Sequence, residues 1–169
     1  MEKKTNTVEY VYLGIDELLA EEKSLVLAAR KATEHSHSPY SNFKVGCAVK
    51  VQSGQIITGA NQENASYGLT VCAERTTIFS AHNFGHSRDI RKIAVTGRPG
   101  NISNYIGTSP LCPCGACRQV IKESEDLAGK PIIILMDCFN DDLIMRVVGI
   151  ETILPFAFGP ADLGIDLKN

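Results

Sequence analysis

The sequence of 169 residues lacks the long apolar runs of membrane proteins. No stretch approaches the roughly 20 apolar residues that a membrane-spanning helix needs. The first 14 residues contain lysines but not the apolar core that follows them in a signal peptide. We therefore expect a cytoplasmic protein with no membrane partner. In that reducing compartment, the six cysteines are expected to be metal ligands, buried thiols or catalytic groups rather than disulfides.

An excess of charge of either sign is also missing. The formal net charge is -2, the isoelectric point is near 6.1, and lysine and arginine form no local run. Proteins that bind a phosphate backbone carry a basic patch, so nucleic acid is not expected as a substrate. Internal repeats and low-complexity tracts are absent as well. The length then predicts a single domain, residues 15–169, after a short N-terminal extension, residues 1–14.

Hydrophobic periodicity predicts an α/β fold. Helical spacing of apolar residues marks three helices, within residues 16–35, 71–84 and 114–124. Alternating or continuous apolar runs mark five strands, within residues 43–52, 55–62, 91–97, 130–137 and 143–149. A turn joins the first two strands as a hairpin, and the fourth contains "PIIIL", which is typical of a strand buried on both faces. The sequence therefore predicts a three-layer α/β/α sandwich around a mixed, roughly five-stranded sheet.

Cysteines are concentrated at two predicted helix starts. Cys114 and Cys117 in "PCGACRQV" have the spacing with which one helix N-terminus presents two sulfurs to a metal, and Cys72 in "LTVCAERTT" begins another helix. The positive end and free N–H groups of a helix N-terminus favour a thiolate. If the two helix starts converge, the three thiolates bind one ion and leave its fourth tetrahedral position open, as catalytic sites do.

Another cysteine could close that fourth position and make the site structural. Cys47 lies in a predicted strand and Cys138 follows one, where a thiol behaves as a small buried hydrophobe. Cys112 competes with Cys114, but Pro113 fixes the backbone directly before Cys114, so we choose Cys114 as the ligand. A non-enzymatic zinc module with a fourth cysteine and a redox dithiol formed by the Cys-x-x-Cys pair are the alternatives.

The segment "CAE", followed along the chain by "PCGACRQV", resembles the zinc-dependent cytidine deaminase family. Cysteine as the first ligand, Cys72, is the form of the small homotetrameric nucleoside deaminases, whereas many nucleotide and nucleic-acid deaminases carry histidine there. The segments "SPYSNFKVGCAV", "GANQENASYG" and "LPFAFGPADL" are similar to the same family, so the resemblance extends from about residue 18 to about residue 163. It implies a cytidine deaminase-like fold, one zinc ion per chain and a homotetramer whose active sites are completed by neighbouring subunits.

The resemblance implies hydrolytic deamination of cytidine and 2'-deoxycytidine to the corresponding uridines and ammonia, a step of pyrimidine salvage. Zinc lowers the pKa of a bound water towards about 7, and the resulting hydroxide attacks C4 of the base. Glu74, near the metal but not a ligand, would move protons from the water to N3 and to the departing ammonia. Arg75 would donate to the thiolates and offset their negative charge. Outside this context, both would be ordinary first-turn helix residues.

The same resemblance implies which residues bind the sugar. Asn61 and Glu63 in "NQENASYG" look like the residues that bind the ribose 3'-hydroxyl. Ala65 and Tyr67 are implied to reach a 5'-hydroxyl in a neighbouring subunit. Gln62 occupies a variable position of the family segment and receives no role.

The resemblance also implies three residues that contact the cytosine base. Phe43 resembles the ring that packs against the pyrimidine, Ala73 would offer its backbone N–H to the base carbonyl, and Phe158 looks like an aromatic residue contributed by another subunit. Phe156 competes with Phe158, which is preferred because its distance to the following "DL" fits the family pattern. Arg118 receives no role beyond that of a helix or interface arginine.

A blasticidin-type deaminase, which acts on a cytosine antibiotic, is the nearest alternative enzyme. It shares "CAE" and "PCGxCR" with this sequence, but the "NQENASYG" segment is the ribose reader of the nucleoside deaminases and argues against it. Metal spectroscopy distinguishes a structural zinc module from a catalytic site, because the structural site has four sulfur ligands and the open catalytic site has three sulfurs and one oxygen.

Overall fold

In residues 1–141 and 143–167, the part of the chain that the computed structural model describes, six strands form one mixed sheet. The strands are β1 (Val11–Leu13), β2 (Phe43–Val51), β3 (Ile56–Ala60), β4 (Ile90–Pro99), β5 (Ile133–Asp137) and β6 (Ile144–Val148). The three helices are α1 (Ala20–Ala32), α2 (Ala73–Asn83) and α3 (Gly115–Ala128). Across the sheet the strand order is β1-β6-β5-β4-β2-β3.

Helices cover both faces of this sheet. On one face, Leu25 and Ala29 of α1 pack in a buried cluster with Ala48 of β2. On the other face, Ile78 of α2 and Ile121 of α3 belong to a second cluster with the opposite side chains of the same strands. Each fully buried leucine or isoleucine contributes about 1.5–3 kcal/mol to folding. The structure confirms the predicted three-layer α/β/α sandwich.

One strand, β1, is not among those predicted from the sequence. It lies within residues 1–14, the predicted extension, and pairs antiparallel with β6, with Val11 opposite Arg146 and Leu13 opposite Ile144. Two of its three residues are exposed and the third is half-buried. Leu13 packs at the margin of the core cluster on the α1 face, but a strand of three residues is too short for alternation in the sequence to reveal it. Its backbone pairing extends the predicted five strands to six.

The first helix is shorter than the range predicted for it within residues 16–35. Leu18 and Leu19 have extended backbone conformations with ψ angles of 149° and 146°, so α1 begins only at Ala20. Leu18 is nevertheless buried in the same cluster as Leu25 of α1. Its burial accounts for the apolar spacing that predicts a longer helix.

Strand direction brings the beginnings of α2 and α3 to one edge of the sheet. β3 and β4 are both antiparallel to β2 and therefore run in the same direction, and β5 is parallel to β4. Helix α2 follows β3 and α3 follows β4, so both helices begin beyond the carboxyl ends of these strands, where open α/β sheets bind ligands. In the described residues, no helix is both long and apolar enough to cross a membrane.

Candidate metal centre and active site

Three cysteines meet where α2 and α3 begin. Cys72 is the N-cap of α2, Cys114 is the N-cap of α3, and Cys117 lies in the first turn of α3. The Sγ atom of Cys114 lies 3.8 Å from that of Cys72 and 3.5 Å from that of Cys117, and all three lie within 4.8 Å of one another. Sulfurs bound to one tetrahedral zinc ion at about 2.3 Å lie about 3.8 Å apart. The three thiols therefore fit zinc, as the sequence predicts.

The N-termini of α2 and α3 favour the thiolate form of these cysteines. Cys72 and Cys114 have extended backbones, and their carbonyls accept the first helical hydrogen bonds from Thr76 N–H at 3.1 Å and Arg118 N–H at 2.9 Å. Their side chains therefore stand at the positive ends of two helices, among N–H groups that have no helical partner. Both helix ends stabilise thiolates, which are the form of cysteine that binds metal.

The remaining three cysteines lie outside the cluster. Cys47 is buried in β2, Cys138 is buried directly after β5, and Cys112 is exposed with its Sγ 3.9 Å from the carbonyl of Pro110. In the described part of the chain, none of these sulfurs joins the metal-binding group. The described donor set is therefore three sulfurs, and it favours an open site over a closed four-sulfur one.

Arg75 contacts the cluster from α2. Its Nη2 atom donates to Cys72 Sγ at 3.8 Å and to the carbonyl of Thr70 at 3.2 Å, while its Nε atom is buried without a hydrogen-bond partner in the described residues. A hydrogen bond from the Cys117 thiol lowers the pKa of Cys72, and Arg75 acts in the same direction. The same interaction with Cys72 raises the pKa of Cys117, and binding of a divalent cation would release the protons of these thiols.

Glu74 lies beside the sulfurs but is not one of the grouped ligands. It is the second residue of α2 and only 4% exposed, and Ala73 before it is fully buried. Burial raises the pKa of the Glu74 carboxyl, and the negative charge of Cys72 adds to this effect. A carboxyl whose pKa is raised towards neutrality can both accept and donate a proton during a reaction.

Asn61 has contacts that the sequence does not predict. Its Oδ1 atom accepts hydrogen bonds from Val45 N–H at 2.9 Å and Ser36 Oγ at 2.6 Å, and its Nδ2 atom donates to the carbonyl of Phe43 at 2.9 Å. Asn61 is 8% exposed. Its amide therefore fixes the first residues of β2, including the backbone of Phe43, and a second Nδ2 hydrogen is left to donate.

Glu63 lies at an open cavity of about 390 Å³. The cavity is lined by Tyr40, Ser41, Glu63, Tyr67 and Thr70. Glu63 accepts hydrogen bonds from the N–H groups of Tyr40 at 2.8 Å and Ser41 at 3.2 Å, and hydrogen bonding by Ser41 is the main reason that its pKa is lowered. The ring of Tyr67 meets that of Tyr40 edge to face at 5.6 Å. Ala65, in the same loop, is exposed.

The two aromatic candidates of the C-terminal segment are both exposed. Phe156 is 97% exposed and Phe158 is 59% exposed, and neither lines the cavity beside Glu63. The carbonyl of Phe158 accepts a hydrogen bond from Gln119 Nε2 at 2.8 Å, which joins this segment to α3. Within one chain, therefore, Phe158 is not brought together with the other predicted substrate-binding residues.

Two residues with contacts near the metal ligands were missed by the sequence reasoning. Arg118 and Gln119 follow Cys117 directly, and both hydrogen-bond to the segment that contains Phe158. The available signal was their adjacency to a ligand within "CGACRQV". Their acceptors are backbone carbonyls distant in the sequence, which no residue pattern identifies.

Comparison with known proteins decides the family. Residues 19–130 match the model described as the cytidine and deoxycytidylate deaminase zinc-binding region. The chain belongs to this deaminase family. The match spans the whole segment from before α1 to the end of α3, including the three cysteines. Zinc is therefore the metal that these three sulfurs bind.

Individual deaminases are similar over most of the chain. A cytidine deaminase of Halalkalibacterium halodurans is 39% identical over 139 residues, which cover 82% of this chain and 95% of that protein. A cytidine deaminase of Mycobacterium tuberculosis is 37% identical over 135 residues, 80% of this chain and 87% of that protein. The crystal structure of cytidine deaminase from Burkholderia pseudomallei superposes with a TM-score of 0.67 at 40% identity, covering 80% of this chain and 97% of that one.

Proposed function

We propose that this protein is a zinc-dependent aminohydrolase that converts cytidine and 2'-deoxycytidine to uridine and 2'-deoxyuridine, with release of ammonia. The observation that carries the proposal is the buried carboxyl of Glu74 beside a cluster of three cysteine sulfurs that is open to a fourth ligand. The named cytidine deaminases among its relatives support the choice of substrate.

Glu74 is the proton carrier of this reaction. A zinc ion held by Cys72, Cys114 and Cys117 would supply Lewis-acid activation of a water at neutral pH. Glu74 would accept a proton from the attacking water and deliver it to N3 of the cytosine. It would then take the proton of the hydroxyl group added at C4 and pass it to the amino group, which leaves as ammonia when the C4–N bond breaks and the C4 carbonyl forms. Its raised pKa suits this alternation, because a strongly acidic carboxylate would not return the proton.

Arg75 and Ala73 assist from the same turn of α2. Three thiolates carry more negative charge than a divalent ion neutralises, and the guanidinium of Arg75 at 3.8 Å from Cys72 Sγ offsets part of the excess. Ala73 is the first residue of α2, so its N–H has no helical acceptor and is available to the carbonyl of the base. Both contributions come from the position of these residues at a helix start.

The cavity beside Glu63 favours a nucleoside over a nucleotide. Among the described residues, its lining contains the Glu63 carboxylate and no lysine, arginine or histidine. The Glu63 carboxyl, like any glutamate whose pKa is not raised, is negative at neutral pH, where it can accept hydrogen bonds from sugar hydroxyls and repels a phosphate. We therefore prefer cytidine and deoxycytidine to deoxycytidylate, the other substrate class in the description of the family model. Asn61 and Phe43, which are hydrogen-bonded to each other, extend this surface towards the base.

We further propose that the protein is a cytoplasmic homotetramer and that Phe158 completes the active site of a neighbouring subunit, as Ala65 and Tyr67 are proposed to do. Large apolar side chains are exposed on α2 and in the C-terminal segment, which favours their burial against another copy. These side chains are Phe79, Phe84, Phe156 and Phe158. The net charge of -2 provides no basis for binding nucleic acid.

The ultraviolet absorbance of cytidine, incubated with the purified protein, tests the activity. Wild type with about one zinc per chain is expected to remove the cytidine signal, whereas zinc-loaded Glu74→Gln is not. Deoxycytidylate at the same concentration is expected to react far more slowly. No reaction with either compound at full zinc loading would reject the nucleoside proposal and favour the blasticidin-type or structural alternative.

Phe158→Ala tests the proposed aromatic contribution, with Phe156→Ala as the matched control. The first variant is expected to raise the KM for cytidine without changing zinc content, and the second is expected to leave both unchanged. The reverse pattern would assign the role to Phe156.

A further inference from the structure

Arg118 joins two segments that are far apart in the sequence. Its Nε atom donates to the carbonyl of Pro113 at 2.9 Å, and its Nη1 atom donates to the carbonyl of Ile153 at 2.6 Å. Pro113 directly precedes the metal ligand Cys114, and Ile153 lies in the C-terminal segment, defined here as residues 150–158. One guanidinium thus contacts both the metal-binding backbone and the segment that ends at Phe158.

Two other side chains of α3 hold the same C-terminal segment. Glu125 accepts a hydrogen bond from the N–H of Ile150 at 3.0 Å, and Gln119 donates to the carbonyl of Phe158 at 2.8 Å. The segment is therefore fixed to α3 at its first residue, at its last residue and, through Arg118, near its middle. Of these three contacts, only that of Arg118 also reaches the backbone beside a metal ligand.

The chemistry of arginine matches this double contact. The planar guanidinium presents several N–H donors in fixed directions and can serve two carbonyls at once, whereas the ammonium of lysine is a single point donor on a flexible stem. The carbonyl of Pro113 belongs to the peptide plane that enters Cys114, so holding it fixes the N-cap conformation of that ligand, with φ of -67° and ψ of 165°. Groups that orient metal ligands in this way contribute to metal affinity.

We propose that Arg118 is a positioning residue that couples the metal-binding segment, residues 113–117, to the C-terminal segment and thereby sets the location of Phe158 relative to the metal ligands. The effect on metal affinity is independent of the reaction. The effect on substrate binding rests on the proposed function, because it requires that Phe158 contact the nucleoside.

Zinc affinity measured by competition with a chromogenic chelator tests the first half of the proposal. Arg118→Met is expected to raise the zinc Kd by about 10-fold, the lower end of the range for lost ligand-orienting contacts. The zinc Kd of Arg118→Lys is expected to lie between those of Arg118→Met and wild type, because a lysine ammonium can donate to one of the two carbonyls at a time. If Arg118→Met does not fold, Arg118→Lys provides the test. Gln119→Leu is expected to keep the wild-type zinc Kd.

Arg146→Met is the matched control, because it removes a part-buried arginine from the opposite face of the sheet, where Arg146 lies 3.5 Å from Glu22. It is expected to lower the thermal unfolding midpoint without changing the zinc Kd. If Arg118→Met and Arg118→Lys also lose only thermal stability, Arg118 is a structural helix residue and the proposal is overturned.

Steady-state kinetics on zinc-saturated protein test the second half. Both Arg118→Met and Gln119→Leu are expected to raise the KM for cytidine severalfold with a smaller change in kcat, since both release the segment that carries Phe158. An unchanged KM in an Arg118 variant with weakened zinc binding would overturn the coupling. If wild type binds zinc but does not deaminate cytidine, the proposed function fails, whereas the zinc competition still decides the positioning of Cys114.

Discussion

The two faces of the sheet use buried acidic residues in opposite ways. On the α1 face, Glu22 is 2% exposed and lies 2.9 Å from the ammonium of Lys92, and Asp137 is bound by Arg30 through two hydrogen bonds of 2.8 Å. On the α2 and α3 face, Glu74 is also buried, but none of the ion pairs among the described residues includes it. A paired carboxylate has a fixed charge, whereas burial without a paired cation leaves a carboxyl able to exchange protons.

The largest expected effect comes from the metal ligands. Cys114→Ala removes one of three thiolates and is expected to abolish both stoichiometric zinc binding and cytidine turnover. Cys112→Ala, two residues away and outside the cluster, is the matched control and is expected to keep both. Elemental analysis for zinc together with the absorbance assay measures the difference. Loss of zinc from Cys112→Ala and not from Cys114→Ala would exchange the two assignments.

Exchanging the buried carboxylates for amides tests the comparison directly. Glu74→Gln is expected to lower kcat by about 10²–10⁴-fold with stability and zinc content unchanged, since the amide cannot carry a proton. Glu22→Gln is expected to keep kcat and to lower the free energy of unfolding, because it removes the buried carboxylate that pairs with Lys92 and lies 3.5 Å from Arg146, although Lys92 keeps its pair with Glu21. Measurements of kcat and of urea unfolding on both variants check this expectation. If both variants lose kcat, or both lose only stability, the two faces do not differ in the way described.

A smaller effect, on stability alone, is expected from the cation on the α1 face. Among the described residues, Lys92→Met leaves buried Glu22 with the more distant Arg146 as its remaining cation and also breaks the pair of Lys92 with the more exposed Glu21, and it is expected to cost about 3 kcal/mol of unfolding free energy. Lys23→Met breaks an exposed pair with Asp16 and is expected to cost less than about 1 kcal/mol. Equal losses in urea unfolding would show that burial does not distinguish these pairs.

The smallest expected effect is a dependence of stability on acid. Hydrogen bonds from Lys50 and Lys92 lower the pKa of Glu21 from 4.5 to about 2. A lowered pKa stabilises the folded state above the unfolded value, and this contribution is lost as the pH falls from 4.5 towards 2. Thermal unfolding midpoints of wild type are therefore expected to fall more steeply in this range than those of Glu21→Gln. If the midpoints of wild type and Glu21→Gln fall equally between pH 4.5 and 2, the lowered pKa of Glu21 is wrong.

Much of the fold and the metal cluster could be predicted because they leave local marks in the sequence. The apolar run that forms β5 and the cysteines at two helix starts are such marks, and the structure bears out both. The double contact of Arg118 could not be predicted, since one acceptor, the carbonyl of Ile153, lies 35 residues along the chain and is a backbone group. The hydrogen bonds of the Asn61 amide to the backbone of Val45 and Phe43 could not be predicted for the same reason.

The short strand β1 determines how this sheet ends. Without Val11–Leu13, the row of N–H and C=O groups along β6 would be the free edge on that side, a template on which strands of other chains can add. A three-residue strand pairs with Ile144, Met145 and Arg146 and so covers the first part of β6, while offering a short edge of its own. The N-terminal segment, which received no role in the proposed chemistry, thus shortens the unpaired edge of β6 on which another strand could add.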